Sequence, residues 1–490
     1  MTPIAEAVRA QHTLDPENWD ELRTLGHRML DDMFEHLETL RGQPAWQPVP
    51  AEVRQALDEP LPRGSQPVES VYQEFVTNIV PYTSGNRHPR AWGWVRGNGT
   101  PLAMLAEMLA AGINSHCGGG NQSPTLVEEQ VLEWLREIMG MPQGTSGLLT
   151  SGGTMANLIG LAVARHAKAG FDIRKDGLQG VSARLTVYCS AETHMWAQKS
   201  MELLGLGSRS LRRIAVDAES RIDIAGLRKQ IAQDKVAGLH PIAVIGNAGT
   251  VNTGSVDDLI ALRQLCDEAA LWLHVDGAFG ALLKLSPKYR HLVRGAELAD
   301  SLAFDLHKWM YLPFEVGCVL VRDAEMHRAA FATPASYLEG AERGMLAGGM
   351  TFSDRGIELT RGFKALKVWM SLKAHGVDAY TALIEQNMEQ AAHLADRVDK
   401  HAELESLSRR QMNIVCFRYR PGAPMSDEEL NRLNREIVLR LQESGEFVVS
   451  GTVLDGKYAI RVANTNHRSR LEDFDALAEA VIARGQRLLL

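Results

Sequence analysis

LWLHVDGAFG (residues 271–280) and ADSLAFDLHKW (299–309) are the two stretches that decide the fold. Leu271–Val275 and Ser301–Phe304 are short apolar runs of strand length. The first gives way to Asp276, Gly277 and Ala278; the second, continued to Leu306, gives way to His307, Lys308 and Trp309. Similar runs occur at Leu185–Cys189, Ile242–Gly246 and Gly317–Val321, with helical patterns such as Ala156–Lys168 and Val256–Ala270 between them. Such alternation over 145–323 predicts an α/β fold with a mainly parallel sheet covered by helices. Ligands of such sheets sit beyond the carboxyl ends of the strands, so the residues just after each run are the candidates for chemistry.

On the amino-terminal side, residues 17–41 carry Trp19, Leu22, Leu25, Met29, Leu30, Met33, Leu37 and Leu40 near helical spacing. The stretch Gln43–Pro67 is rich in proline and reads as an extended connector. A helix with no local surface for its apolar face needs one elsewhere, such as a second subunit. On the carboxyl-terminal side the pattern predicts a helix over Ala379–His401, a strand Asn413–Tyr419, a helix Asp427–Ser444, strands Phe447–Ser450 and Tyr458–Val462, and a last helix. The expected division is therefore 1–80 (helical and extended, for dimer packing), 81–375 (large domain) and 376–490 (small α+β domain).

The 490 residues exceed one ordinary core. Hydrophobic residues make up 45% and charged residues 23%, a globular profile. The net charge of −8 gives no reason to expect nucleic acid or an anionic membrane as partner. No apolar run reaches the roughly 20 residues of a bilayer span. The five cysteines form no CxxC pair and read as reduced thiols, and the acidic first two dozen residues argue against a targeting peptide. A cytoplasmic location is the default expectation.

Four strand ends and one helix start carry the chemistry. A lysine in the ligand crevice, Lys308, is a nucleophile when desolvated; elsewhere it is a surface lysine. Asp276, followed by two small residues, is placed to pair with a protonated heteroaromatic nitrogen, or else caps its strand or binds a metal. No His/Cys/Glu set at metal spacing accompanies it. Thr150–Asn157 (TSGGTMAN) opens a helix, so Gly153 and Thr154 suit a phosphate or a plain helix cap. His194 follows Leu185–Cys189 and suits ring stacking or a structural role. Asn247 follows Ile242–Gly246 in an amide- and hydroxyl-bearing turn. One ligand needs them all: pyridoxal 5'-phosphate (PLP), with its phosphate, ring, ring nitrogen and aldehyde.

With these residues in view, HPRAWGW, SGGTMANL, AETH, LWLHVDGAFG, ADSLAFDLHKW and RGFKALKVW resemble the PLP-dependent group II amino-acid decarboxylases, most nearly the aromatic-L-amino-acid branch. The resemblance runs from about residue 18 to the C-terminus. It implies a PLP fold type I, aspartate-aminotransferase-like enzyme with a seven-stranded sheet, working as a homodimer. It implies Lys308 as the Schiff-base lysine, Asp276 as partner of the ring nitrogen, and His194 and Ala278 on the two ring faces. It places Gly153, Thr154 and His307 near the phosphate and Asn247 at the ring side. It makes Tyr337 the mobile-loop acid that returns a proton to Cα, a reasonable role for a group of reference pKa about 10.

Two motifs depart from the family, at Gly277 and at Asp305 and Leu306. HVDAA reads HVDGA here, and NPHKW reads DLHKW, so Asp305 stands where asparagine is frequent near the phosphate. Trp94, Arg96 and His116 are unusual occupants of the substrate side, and Arg361 suits either an anion site or a core-edge salt bridge. The expected reaction is decarboxylation of an aromatic or related L-amino acid to its amine. Alternatives are oxidative decarboxylation–deamination to an aldehyde, disfavoured because Tyr337 and His194 are both present, and a non-catalytic PLP-binding regulator. A regulator of that type would append a basic helix-turn-helix, and the N-terminal region is acidic.

Overall fold

The computed structural model describes residues 13–179, 183–333, 342–349 and 351–490. The chain divides into two compact units, one of residues up to 44 with 48–83, the other of 45–47 with 84–490.

In the first unit the expected helix spans Trp19–Glu38. Asn18 caps it, its side-chain oxygen accepting from the N–H groups of Asp20 and Glu21, and both acids favour the positive helix end. Leu25 is its only buried residue, whereas Trp19 and Leu22 are exposed. The Gln43–Pro67 connector is not wholly extended: Ala51–Ala56 forms a short helix entered from Pro50. A third helix, Val68–Asn78, meets the first where Tyr72 donates to Asp32 Oδ2 at 2.6 Å.

The second unit is built on a seven-stranded sheet. Its strands are β1 (Ser146–Thr150), β2 (Leu185–Ser190), β3 (Leu211–Ile214), β4 (His240–Asn247), β5 (Trp272–Asp276), β6 (Ser301–Asp305) and β7 (Gly317–Val321), in spatial order β1-β7-β6-β5-β4-β2-β3. β7 is antiparallel to both neighbours and every other pairing is parallel. Two reversals cancel, so β1, β2, β4, β5 and β6 all end on one edge. The residues of β5, β6 and β7 are buried throughout, which is why these strands read as continuous apolar runs. β1 and β3 lie outside the five runs expected from the sequence.

A second, antiparallel sheet runs β10-β11-β9-β8, from β8 (Leu404–Ser406), β9 (Ile414–Tyr419), β10 (Ser450–Leu454) and β11 (Lys457–Ala463). The strand expected at Phe447–Ser450 is corrected: Val448 instead bridges to Ala91, with Trp92 N–H donating to its carbonyl at 2.7 Å, and β10 begins at Ser450. The helix expected from Ala379 begins at Ala365 and is broken at Gly376, whose φ of 71° suits glycine.

Candidate active site

The common edge of β1, β2, β4, β5 and β6 opens into a cavity of about 490 Å³. Gly153, Thr154, His194, Asn247, Asp276, Ala278, His307 and Lys308 all line it, as do Trp94 and Arg96. Register explains part of this convergence: Asn247 pairs with Asp276 across β4–β5, and Asp276 with Ala303 across β5–β6.

The helix Gly153–Lys168 starts at the cavity. Gly152 makes no side-chain cap, and the first intrahelical N–H, that of Ala156, bonds Gly152 O at 2.9 Å. The N–H groups of Gly153, Thr154 and Met155 therefore precede the helix ladder and suit an anion. A side chain at Gly153 would meet Asp305 Oδ2 at 2.8 Å, and one at Gly317 would meet Asp305 Oδ1 at 2.7 Å. The helix start is held from beneath by a buried relay. Trp272 Nε1 donates to Ser301 Oγ (2.8 Å), Ser301 bonds His274 Nδ1 (2.8 Å), His274 Nε2 bonds Asn157 Oδ1 (2.7 Å), and Asn157 Nδ2 donates to Gly153 O (2.7 Å). Burial pushes the His274 imidazole down to about 3, so it serves this relay as a neutral ring.

Lys308 Nζ lies 2.8 Å from Asp305 Oδ2. Asp305 is 1% exposed, and its Oδ1 has no hydrogen-bond partner among the described residues. Asp276 is buried; its Oδ1 accepts from Ala278 N–H at 3.0 Å and its Oδ2 from Trp196 Nε1 at 2.5 Å. His194 Nδ1 accepts from Trp196 N–H at 3.2 Å, so the neutral ring carries its proton on Nε2. Burial holds this histidine below its usual range, with Asp276 pulling the other way and Lys308 reinforcing it. His307 is likewise lowered by burial, and its Nδ1 lies 2.9 Å from Val316 O. Asn247 Nδ2 donates to Thr193 Oγ1 (3.0 Å) and Asp257 Oδ2 (2.9 Å), leaving Oδ1 as the atom it offers.

This set fits PLP. Open helix-start amides suit its phosphate, a fixed buried carboxylate suits a ring N–H, and an amine stands in the same cavity.

Not every expected residue arrives here. Arg361 is absent from the cavity lining. Its guanidinium is 1% exposed, pairs with Glu128, and donates to Leu149 O (3.1 Å) and Cys117 O (3.2 Å), so the core salt bridge is the correct reading. Burial pushes Glu128 up to about 6 against the pull of Arg361. His116 is exposed, outside the cavity, and accepts Arg361 N–H at 3.3 Å. Tyr337 lies outside the described residues. Conversely, Trp196 and Arg461 line the cavity without having been singled out. Arg461 is 4% exposed and donates to Val251 O (2.5 Å) and Asn252 O (3.0 Å); a charged residue inside the apolar run YAIRVA was its signal.

Known proteins share this architecture. The pyridoxal-dependent decarboxylase conserved domain matches residues 50–420. An aromatic-L-amino-acid decarboxylase of Bacillus atrophaeus is 34% identical, covering 94% of this chain and 96% of its own. A phenylacetaldehyde synthase of Petunia hybrida is 28% identical over 92% of this chain and 90% of its own. The crystal structure of Oryza sativa TDC with PLP and tryptamine superposes with a TM-score of 0.89 at 24% identity, covering 98% of this chain and all of that one. The extent of the domain match and the identity to the Bacillus protein settle what the cavity belongs to: this chain is a member of the PLP-dependent amino-acid decarboxylase family.

Proposed function

We propose that this enzyme decarboxylates an L-amino acid with an aromatic side chain, releasing the amine and carbon dioxide, with Lys308 as the residue that bonds the cofactor. The observation that carries this is the meeting of Lys308, Asp276, His194 and the open start of the helix Gly153–Lys168 in one cavity. The substrate class is supported by the names of the relatives, an aromatic-L-amino-acid decarboxylase foremost.

When bound, PLP supplies an aldehyde for amines and an electron-poor ring that accepts the electron pair left as carbon dioxide departs. The protein's own groups do the rest. The N–H groups of Gly153 and Thr154 would hold the phosphate, with the helix dipole favouring its charge. Asp276 would hold the proton of the ring nitrogen, and Ala278 and His194 would flank the ring. His194, with its proton on Nε2, offers that N–H to the substrate carboxylate. Asn247 would offer Oδ1 to the ring side, and His307 would brace the phosphate end. Trp94 and Arg96, whose guanidinium carbon lies 4.4 Å from the indole centroid, form the substrate wall. We assign proton return at Cα to Tyr337 from the sequence. We also propose a homodimer, supported by the exposed Trp19 and Leu22 of the N-terminal helix.

The test is carbon dioxide release from a panel of L-amino acids by PLP-reconstituted enzyme, with products identified. Amine in equal amount to carbon dioxide from an aromatic member supports the reading. Aldehyde with peroxide and ammonia, the outcome suggested by the synthase among the relatives, replaces it. No release from any member rejects it.

A further inference from the structure

Trp196, the first residue of the helix Trp196–Leu203, lines the cavity yet is 2% exposed. Its indole N–H donates to Asp276 Oδ2 at 2.5 Å, while the Ala278 N–H takes Oδ1 at 3.0 Å. Its own backbone N–H reaches His194 Nδ1 at 3.2 Å. The indole packs edge-on against His274, centroids 5.7 Å apart at 78°. That imidazole is fixed by Ser301 and Asn157, so the indole has a rigid backing. No lysine, arginine or histidine forms an ion pair with Asp276 among the described residues. The two N–H donors are therefore the protein's direct compensation for burying this carboxylate.

We infer that Trp196 is a positioning residue for the reaction: acting through Asp276, its indole N–H keeps the proton shared by that carboxylate and the cofactor's ring nitrogen on the nitrogen. This rests on Asp276 being the partner of that nitrogen. A hydrogen bond donated to a carboxylate favours its ionised form. A proton lying between carboxylate oxygen and ring nitrogen then belongs to the nitrogen, and the ring draws electrons strongly only in that state. Without the indole N–H, Asp276 Oδ2 regains a free lone pair and competes for the proton. The bond also fixes the carboxylate plane, leaving one defined direction toward the ring.

The test uses holoenzyme reconstituted with PLP labelled with 15N at the ring nitrogen, without substrate. Its resonance separates protonated from unprotonated nitrogen. Replacing Trp196 by benzothienylalanine exchanges the N–H for sulfur at nearly constant shape and leaves the backbone bond to His194 in place. Trp196→Phe, read in the same way, guards against a fold defect peculiar to either variant. The wild type is expected at the protonated value, and both variants shifted toward the unprotonated one. Turnover of whichever amino acid the wild type uses best should fall about tenfold or more, as for loss of one hydrogen bond to a buried charge. Wild-type resonances in both Trp196 variants, with Asp276→Asn shifted, overturn the inference and leave the role of Asp276 standing. An unshifted Asp276→Asn overturns both.

Discussion

Lys308 Nζ and Asp305 Oδ2 lie 2.8 Å apart, three residues from each other across the passage from β6 into the short helix Leu306–Trp309. The carboxylate that holds the amine also fills the space before Gly153 and Gly317. The lysine proposed to bond the cofactor and the proposed phosphate cradle thus share one negative side chain, which a phosphate held there would meet.

Asp305→Asn keeps the shape and removes the charge. Repulsion between carboxylate and phosphate at a few ångströms is worth more than a kcal/mol at the effective dielectric of a protein site. The variant is expected to bind PLP about fivefold or more tightly, measured by absorbance titration of apoenzyme. Weaker binding would mean that Asp305 helps to hold the cofactor.

Arg361 holds Glu128 inside the core, both side chains being at most 1% exposed. Arg361→Met strands a buried carboxylate and should cost about 3–5 kcal/mol of stability. Adding Glu128→Leu should restore most of it, read from urea unfolding midpoints. Unchanged stability with a raised KM would return Arg361 to the substrate site.

His274, held down to about 3 by burial, is neutral in the folded chain and titrates near 6.5 once unfolded. Between those values the unfolded state binds the extra proton, so this residue's contribution is present above pH 6.5 and lost as pH falls. The stability gap between wild type and His274→Asn should therefore narrow by about 2–3 kcal/mol from pH 7 to pH 4.5. Denaturant unfolding at both values checks it; a constant gap would show that the imidazole is not held neutral.

Burial decided what could be read from the sequence. β5 and β6 are covered on both faces, so their composition is uniformly apolar, and the polar residues that end them stand out. β3 reads LRRI, an edge strand partly open to solvent, and β1 reads SGLLT, too mixed to register as a run. The strand-end residues were legible because an open parallel sheet gathers its carboxyl ends. The partner of Arg361 was not, since Glu128 lies 233 residues away. Trp196 gave no local sign of its bond to Asp276, 80 residues on, which only the pairing of distant strands creates.

Lys308 is the residue proposed to bond the cofactor, and every other proposed role is placed around it. Borohydride reduction of PLP-loaded enzyme, followed by peptide mass mapping, tests this directly. The added mass is expected on the peptide bearing Lys308, and its absence in Lys308→Ala. A label on another lysine, or Lys308→Ala retaining both label and carbon dioxide release, would contradict it.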